Sequence, residues 1–108
     1  MKIKRVTIQW PRGLHLRAAT ELVCLTRRFR SRINIRLGPV LADARSVLSL
    51  LMLSASLGAS LDIEAAGNDE HEALQAVADF FANPSPGDEA FSEESPGNRR
   101  GFAPITAS

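Results

Sequence analysis

The 108-residue sequence has one cysteine, no tyrosine and two histidines, and none of its apolar runs is long enough to cross a bilayer. A single thiol cannot form an internal disulfide, which fits a cytoplasmic protein. Because Cys24 falls within an apolar helical pattern, we interpret it as a small core residue. The N-terminus has neither an extended apolar stretch nor a small-residue cleavage site, so no signal peptide is expected. Paired cysteines and His-x-x-x-His spacing are also lacking, and we therefore predict no metal and no cofactor.

The net charge is only +1, but positive and negative residues are divided unevenly along the chain. Residues 1–45 contain eleven lysines and arginines against two acids, whereas residues 46–108 contain two arginines against ten acids. A basic surface attracts nucleic acids or acidic proteins. Because the arginines are not interleaved with aromatic residues that stack on bases, we expect a protein partner and no nucleic acid or membrane.

Hydrophobic periodicity predicts seven elements in the order βαββαβα. Alternating apolar residues predict strands over 6–10, 33–37, 40–42 and 61–65. Spacings of three and four predict helices from Leu16, from Ser46 to about Leu53, and from Asp69, which has Glu72 three residues later in a capping pattern. Short alternating strands favour an antiparallel sheet with one covered face, so the predicted fold is an α+β two-layer sandwich.

The composition changes near residue 84 and divides the chain into a predicted domain, residues 1–83, and a tail, residues 84–108. The tail holds four of the six prolines, three of the seven glycines and four acids, without periodicity. Such a segment cannot bury enough apolar surface to fold, and we predict that it is disordered.

The stretch Gly13-Leu14-His15-Leu16-Arg17 places a histidine at the start of the first predicted helix. The first N–H groups of a helix lack intrahelical partners, so a helix N-terminus can bind an anion. Arg17 adds a cation that can hold phosphate oxygens in a bidentate contact. Since neutral imidazole is a competent nucleophile, this arrangement suits a histidine that accepts a phosphoryl group. The alternative is that His15 only caps the helix.

This motif, followed by Ala19 and later by Arg45-Ser46-Val47, resembles the HPr family, the histidine phosphocarriers of the bacterial phosphoenolpyruvate-dependent phosphotransferase system. The resemblance covers residues 1 to about 83, and residues 46–53 are similar to the nitrogen-related NPr branch. It implies an open-faced sandwich of four antiparallel strands and three helices. It also implies that enzyme I phosphorylates His15 on Nδ1, that Arg17 steadies the phosphoryl group, and that an enzyme IIA protein accepts it.

Two residues depart from the family pattern. Many HPr proteins have proline where this chain has Ala18, and Leu16 stands where a small residue or threonine is common. Because alanine still favours a helix, we expect transfer to be retuned but not lost. The leucine adds apolar area beside the nucleophile, which could alter the choice of partner.

Ser46 is predicted to be the N-cap of the second helix. In some bacteria the equivalent serine of the family is phosphorylated, so Ser46 is also a candidate regulatory site. Leu50 and Leu53 are expected to face the core, which would expose the rest of this apolar helix as a contact surface. The alternative is that the whole helix is buried. The predicted partner-binding residues are Leu16, Thr20, Val47, Leu48 and Leu51.

The leading hypothesis is a monomeric phosphocarrier that relays phosphoryl groups between enzyme I and an enzyme IIA of a sugar or nitrogen-related system. Such a protein acts as one member of a relay and not as a stand-alone enzyme. The alternative is a regulatory adaptor that signals its phosphorylation state to a transcriptional regulator or to a serine kinase/phosphorylase. Retention of both His15 and Arg17 favours the carrier, because an adaptor needs no nucleophile.

Overall fold

A computed structural model describes residues 1–86, with four strands and three helices in the predicted order. Of the tail predicted to be disordered, residues 84–86 are described, with Ser85 buried, and residues 87–108 lie outside the described residues. None of the helices in the described part of the chain is long and apolar enough to span a membrane. The elements are β1 (Lys2–Thr7), α1 (Leu16–Thr26), β2 (Arg32–Leu37), β3 (Val40–Asp43), α2 (Val47–Met52), β4 (Ser60–Ala66) and α3 (Glu70–Ala82).

The four strands form one antiparallel sheet in the order β1-β4-β2-β3. In the register of the sheet, Lys2 lies opposite Ala65, and Ile35 of β2 lies between Ile63 of β4 and Ala42 of β3. The order places β4 and β2 in the centre and leaves β1 and β3 as edges. The predicted α+β open-faced sandwich is confirmed.

The core lies between one face of this sheet and the three helices. The inward-facing aliphatic side chains of the two central strands, such as Ile35 and Ile63, are fully buried, and each contributes about 1.5–3 kcal/mol of hydrophobic stabilisation. The opposite face of the sheet is polar, and Arg5 pairs there with Asp62 at 2.9 Å while Arg36 pairs with Glu64 at 3.0 Å. All three helices pack on the buried face of the sheet. The largest buried core side chains are Ile8, Leu22, Ile33, Ile35, Leu50, Leu61, Ile63, Val77 and Phe81.

The first strand ends earlier than its alternating pattern predicts. Strand β1 stops at Thr7, although Ile8 and Trp10 are both buried. Ile8 instead exchanges backbone hydrogen bonds with the loop before β4, donating to the Ala59 carbonyl and accepting from the Gly58 N–H. The alternation thus reports correctly which side chains are buried, but burial here does not require continued strand pairing.

The interpretation of Cys24 as a core residue is wrong. Its thiol is exposed, because the buried stripe of α1 passes through other positions and turns residue 24 towards solvent. The stripe consists of Ala18, Ala19, Leu22, Val23 and Thr26.

Asp69 stands at the N-cap position of α3, as predicted, but its side chain does not cap that helix. The carboxylate accepts hydrogen bonds from the Arg30 N–H at 2.9 Å, the Ser31 N–H at 2.8 Å and the Ser31 hydroxyl. It therefore joins α3 to the loop between α1 and β2. Within residues 1–86, Glu72 does not form the capping hydrogen bond that its spacing predicts. The Gly67 N–H donates instead to Glu70 Oε1 at 3.1 Å.

The Asp69 contacts predict an acid-dependent loss of stability. The Ser31 hydroxyl, followed by the Arg30 N–H, lowers the pKa of Asp69 from 3.8 to about 2. A carboxyl whose pKa is lower in the folded state stabilises the fold above its unfolded pKa, and this contribution disappears as the pH falls from about 4 to about 2. The urea midpoint, measured by circular dichroism, should therefore fall less between these two pH values in Asp69→Asn than in the wild type.

The matched control is Asp79→Asn, since Asp79 is exposed and receives one side-chain hydrogen bond, from Gln75 at 3.1 Å. This variant should keep the wild-type pH dependence. Asp62 and Glu70 also have lowered pKa values, caused mainly by Arg5 and by the Gly67 N–H, so some acid dependence should survive in Asp69→Asn. An Asp69→Asn midpoint that falls as steeply as that of the wild type would contradict the prediction.

Candidate functional site

A tight turn before α1 sets the position of His15. The Gly13 N–H donates to the Trp10 carbonyl, and the Leu14 N–H donates to the Ala55 carbonyl, each at 2.9 Å. Gly13 has φ of +64°, and a Cβ at this position would lie 2.3 Å from the Ala55 oxygen. Only glycine fits this close approach. With Leu14 buried in the core, the turn directs the next residue to the beginning of the helix.

His15 is the N-cap of α1, and its ring lies between the helix and the chain that follows α3. Its backbone is extended, with φ of −92° and ψ of 178°. Nδ1 accepts from the Ala18 N–H at 3.4 Å, and Nε2 lies 2.8 Å from Ser85 Oγ. The side chain is half-buried, not fully exposed as its position in the motif suggests, and Ser85 is itself buried against it.

The capping role of His15 and its predicted nucleophilic role use the same atom. The Ala18 N–H donates to the Nδ1 lone pair, which is also the lone pair that would attack a phosphorus atom. The family-pattern proline at position 18 would have no N–H to offer. Ala18 therefore adds a donor at the predicted phosphorylation position, and the two interpretations of His15 are compatible.

Arg17 lies in the first turn of α1, is exposed, and has no hydrogen-bond or ion-pair partner within residues 1–86. The first turn contains no acidic residue. Arg17 therefore adds its positive charge to that of the helix N-terminus, at the end of α1 that His15 caps. This environment favours a dianion over a neutral ligand.

Ser46 is the N-cap of α2, as predicted, and its Oγ accepts from the Ser49 N–H at 3.2 Å. The helix is shorter than the predicted eight residues, since Leu53 is its C-cap. Leu50 and Leu53 are buried, as expected, but Leu48 is 68% exposed. The alternative that the whole helix is buried is wrong.

The predicted partner-binding residues differ in exposure. Leu16 is 61% exposed, and Thr20 and Leu48 are also exposed. Val47 and Leu51 are half-buried against the core, so they expose less surface than predicted. Helices α1 and α2 contact each other, and we expect their exposed apolar residues to form one surface beside the site. We call this surface the apolar patch, and it consists of Leu16, Leu48 and the 69% exposed Met52, which the sequence analysis did not include.

Sequence reasoning also missed Ser85 and the contact that places it. The Trp10 Nε1–H donates to the Asn83 carbonyl at 2.7 Å, just after the end of α3. Ser85 lies two residues further along and is 2% exposed. No local pattern signals a contact between residues 70 positions apart, although a buried tryptophan does require an acceptor for its N–H group.

Three comparisons with known proteins agree with this geometry. A family model described as "PTS HPr component phosphorylation site" matches residues 2–83. The phosphocarrier protein NPr of Proteus mirabilis is 40% identical over 79 residues, which cover 72% of this chain and 88% of the relative. The phosphocarrier protein HPr of Cupriavidus necator is 35% identical over 66% of this chain and 80% of the relative. A crystal structure of HPr from Bacillus anthracis aligns with a TM-score of 0.71 and 30% identity, covering 74% of this chain and 95% of that one.

Proposed function

Because the chain belongs to the HPr family and is a phosphocarrier of the phosphotransferase system, we propose that His15 relays a phosphoryl group between two proteins. Phosphorylated enzyme I, charged by phosphoenolpyruvate, is the donor, and an enzyme IIA protein is the acceptor. The observation that carries the proposal is the Nδ1 lone pair of His15, which lies at the N-terminus of α1 in the same helical turn as Arg17, a residue without a partner within residues 1–86. Phosphoenolpyruvate is a cytoplasmic metabolite, so the proposal places the protein in the cytoplasm.

In the proposed transfer, the lone pair of His15 Nδ1 attacks the phosphorus of the donor phosphohistidine. The new Nδ1–P bond forms while the donor N–P bond breaks, and the electron pair of that bond stays on the donor imidazole. In the second transfer the Nδ1–P electron pair returns to His15. Because bonds of the same type form and break, the carrier contributes mainly alignment and electrostatic stabilisation.

Three backbone N–H groups and one guanidinium would hold the transferred phosphoryl oxygens. The Ala18 N–H already points at Nδ1, and the first-turn N–H groups of Leu16 and Arg17 have no intrahelical acceptor. The Arg17 guanidinium supplies a charged pair of donors for two oxygens at once. A dianion held at this position is further stabilised by the partial charge of the helix N-terminus.

The apolar patch and the basic side chains in the first half of the chain would form the surface that both partners contact in turn. Leu16 and Leu48 supply exposed apolar area, and an acidic partner surface would complement the basic first half of the chain. Val47, Leu51 and Thr20 lie on the same two helices and would form its edge. We propose that the partners dock here as the protein acts as a monomer, with residues 1–83 as the phosphocarrier domain and residues 84–108 as a tail.

Ser46 is the proposed regulatory position. Its hydroxyl accepts from the Ser49 N–H at the start of α2, so a phosphate there would replace this cap and place negative charge beside the apolar patch. A regulatory adaptor would use such a modification, or the phosphorylation state of His15, to signal to a kinase or a transcriptional regulator. Arg17 favours the carrier, since an exposed guanidinium beside a nucleophile serves transfer chemistry.

The proposal is tested by intact-protein mass spectrometry of the full chain incubated with enzyme I, phosphoenolpyruvate and magnesium. We expect one acid-labile phosphoryl group, which should move to an enzyme IIA protein when that partner is added. A second HPr protein serves as the control that enzyme I is active. An unmodified chain beside a phosphorylated control would contradict the proposal, and phosphorylation without transfer to any enzyme IIA would favour the adaptor.

A further inference from the structure

The position of Ser85 gives the site a feature outside the HPr motif. Its Oγ lies 2.8 Å from His15 Nε2, and the residue is 2% exposed. Within residues 1–86, Ser85 is the only side chain that forms a hydrogen bond with the imidazole. The ring is therefore held at both nitrogens, by the Ala18 N–H on one side and by Ser85 on the other.

The contact with Ala18 selects one tautomer of the neutral ring, and the Ser85 hydroxyl accepts from the nitrogen that then carries the proton. The Ala18 N–H can only donate, so Nδ1 must present its lone pair, and the ring proton must then be on Nε2. The Nε2–H donates to Ser85 Oγ. The opposite tautomer would direct an Nδ1–H at the N–H groups of the first helical turn, where the partial charge is positive. Because a hydroxyl can also donate, the Ser85 contact does not itself choose the tautomer, but it holds the ring in the orientation in which Nδ1 meets the Ala18 N–H.

We propose that Ser85 is a positioning residue for phosphoryl transfer, which holds the His15 ring in the orientation in which the Ala18 N–H selects the Nε2–H tautomer and Nδ1 faces the N-terminus of α1. This inference rests on the proposed function, because it takes Nδ1 as the nucleophile. When Nδ1 forms its bond to phosphorus, the ring keeps the Nε2 proton and becomes cationic. Ser85 then accepts a charge-assisted hydrogen bond, which is stronger than the bond to the neutral ring. No proton has to enter or leave the ring during either transfer.

Trp10 fixes Ser85 in this place. Its buried indole stacks on Phe81 with ring centroids 5.3 Å apart, and its Nε1–H donates to the Asn83 carbonyl at 2.7 Å. Asn83 ends α3 in an extended conformation, and Pro84 restricts the backbone between this anchor and Ser85. The chain after α3 is thereby tied to the core two residues before it reaches the imidazole.

The first experiment measures the tautomer of ¹⁵N-labelled His15 by NMR in the full chain, at a pH where the ring is neutral. The wild type should be mainly Nε2–H. Since a net hydrogen bond changes an equilibrium by about two- to tenfold, Ser85→Ala should raise the ratio of Nδ1–H to Nε2–H by about that factor. Ser85→Thr keeps the hydroxyl and should restore the wild-type ratio. Trp10→Phe loses the anchoring N–H but keeps an aromatic ring, and it should shift the ratio in the same direction as Ser85→Ala.

The matched control is Ser60→Ala, an exposed serine in β4, which should leave the tautomer ratio unchanged. The second measurement is the rate of phosphorylation by enzyme I, which should fall about two- to tenfold in Ser85→Ala and recover in Ser85→Thr. An unchanged tautomer ratio in Ser85→Ala would overturn the inference, whatever the rate. If the wild type accepts no phosphoryl group but the ratio still shifts, the proposed function fails and the hold of Ser85 on the ring stands.

Discussion

Replacing His15 with alanine is expected to abolish phosphorylation by enzyme I completely. The chain contains only two histidines, and His15 is the one whose Nδ1 faces a helix N-terminus free of acidic residues. Without the imidazole no nucleophile remains in front of that helix, so no slower version of the same transfer exists. The measurement is the intact mass after incubation with enzyme I and phosphoenolpyruvate, before and after brief acid treatment, which cleaves the phosphorus–nitrogen bond.

Two further variants separate lost chemistry from lost structure. His15→Ala removes the N-cap of α1, which costs about 1 kcal/mol, so part of its defect could be blamed on stability. His15→Asn offers a carboxamide oxygen to the Ala18 N–H and keeps a good cap, but it cannot carry the phosphoryl group. We expect it to unfold near the wild-type temperature and to remain unphosphorylated. A phosphorylated His15→Asn protein would show that the phosphoryl acceptor lies elsewhere.

His71→Ala is the matched control for the second histidine. His71 is exposed in the first turn of α3, between Glu70 and Glu72, whose carboxylates repel a dianion. This variant should be phosphorylated at the wild-type rate. A loss of the phosphoryl group in His71→Ala but not in His15→Ala would reverse the assignment of the site.

The order of the elements was predictable because each one buries a single face, and burial on one face leaves a period in the sequence. The alternation around Ile33 and Ile35 and the three-and-four spacing around Leu22 both correspond to fully buried side chains. What this period cannot show is how a backbone satisfies its hydrogen bonds. Strand β1 therefore ends at Thr7 while burial continues to Trp10, and α2 is shorter than its apolar run.

The site was predictable only where its parts are close in sequence. Gly13, His15 and Arg17 share one turn, so their spacing already indicates an anion site at a helix N-terminus. Ser85 reaches the same imidazole from 70 residues away, and Asp69 reaches Ser31 from 38 residues away. Such polar contacts depend on the distance and angle between single atoms after packing, and they leave no periodic signal. The sequence therefore indicates the proposed nucleophile, whereas only the structure shows the contact between Ser85 and His15.

Arg17→Ala is expected to slow phosphorylation by enzyme I about 10- to 100-fold, the effect of losing one or two hydrogen bonds from a charged donor. Arg17 is exposed and unpartnered within residues 1–86, so the fold does not depend on it and the melting temperature should stay close to that of the wild type. Arg17→Lys restores the charge but not the planar pair of donors, so it should recover only part of the rate. The measurement is the second-order rate constant from the time course of the phosphorylated mass.

The control for overall charge is Arg32→Ala. Arg32 is an exposed arginine on the open face of the sheet, on the side away from the helices. Loss of Arg32 changes the net charge as much as loss of Arg17 does, but it removes no donor near His15. If the Arg17 effect is local, Arg32→Ala should retain nearly the full rate, and the Arg17→Ala defect should persist at high salt, where long-range attraction is screened. Equal defects in the two variants that vanish together with added salt would show that Arg17 acts only through long-range attraction of the partner.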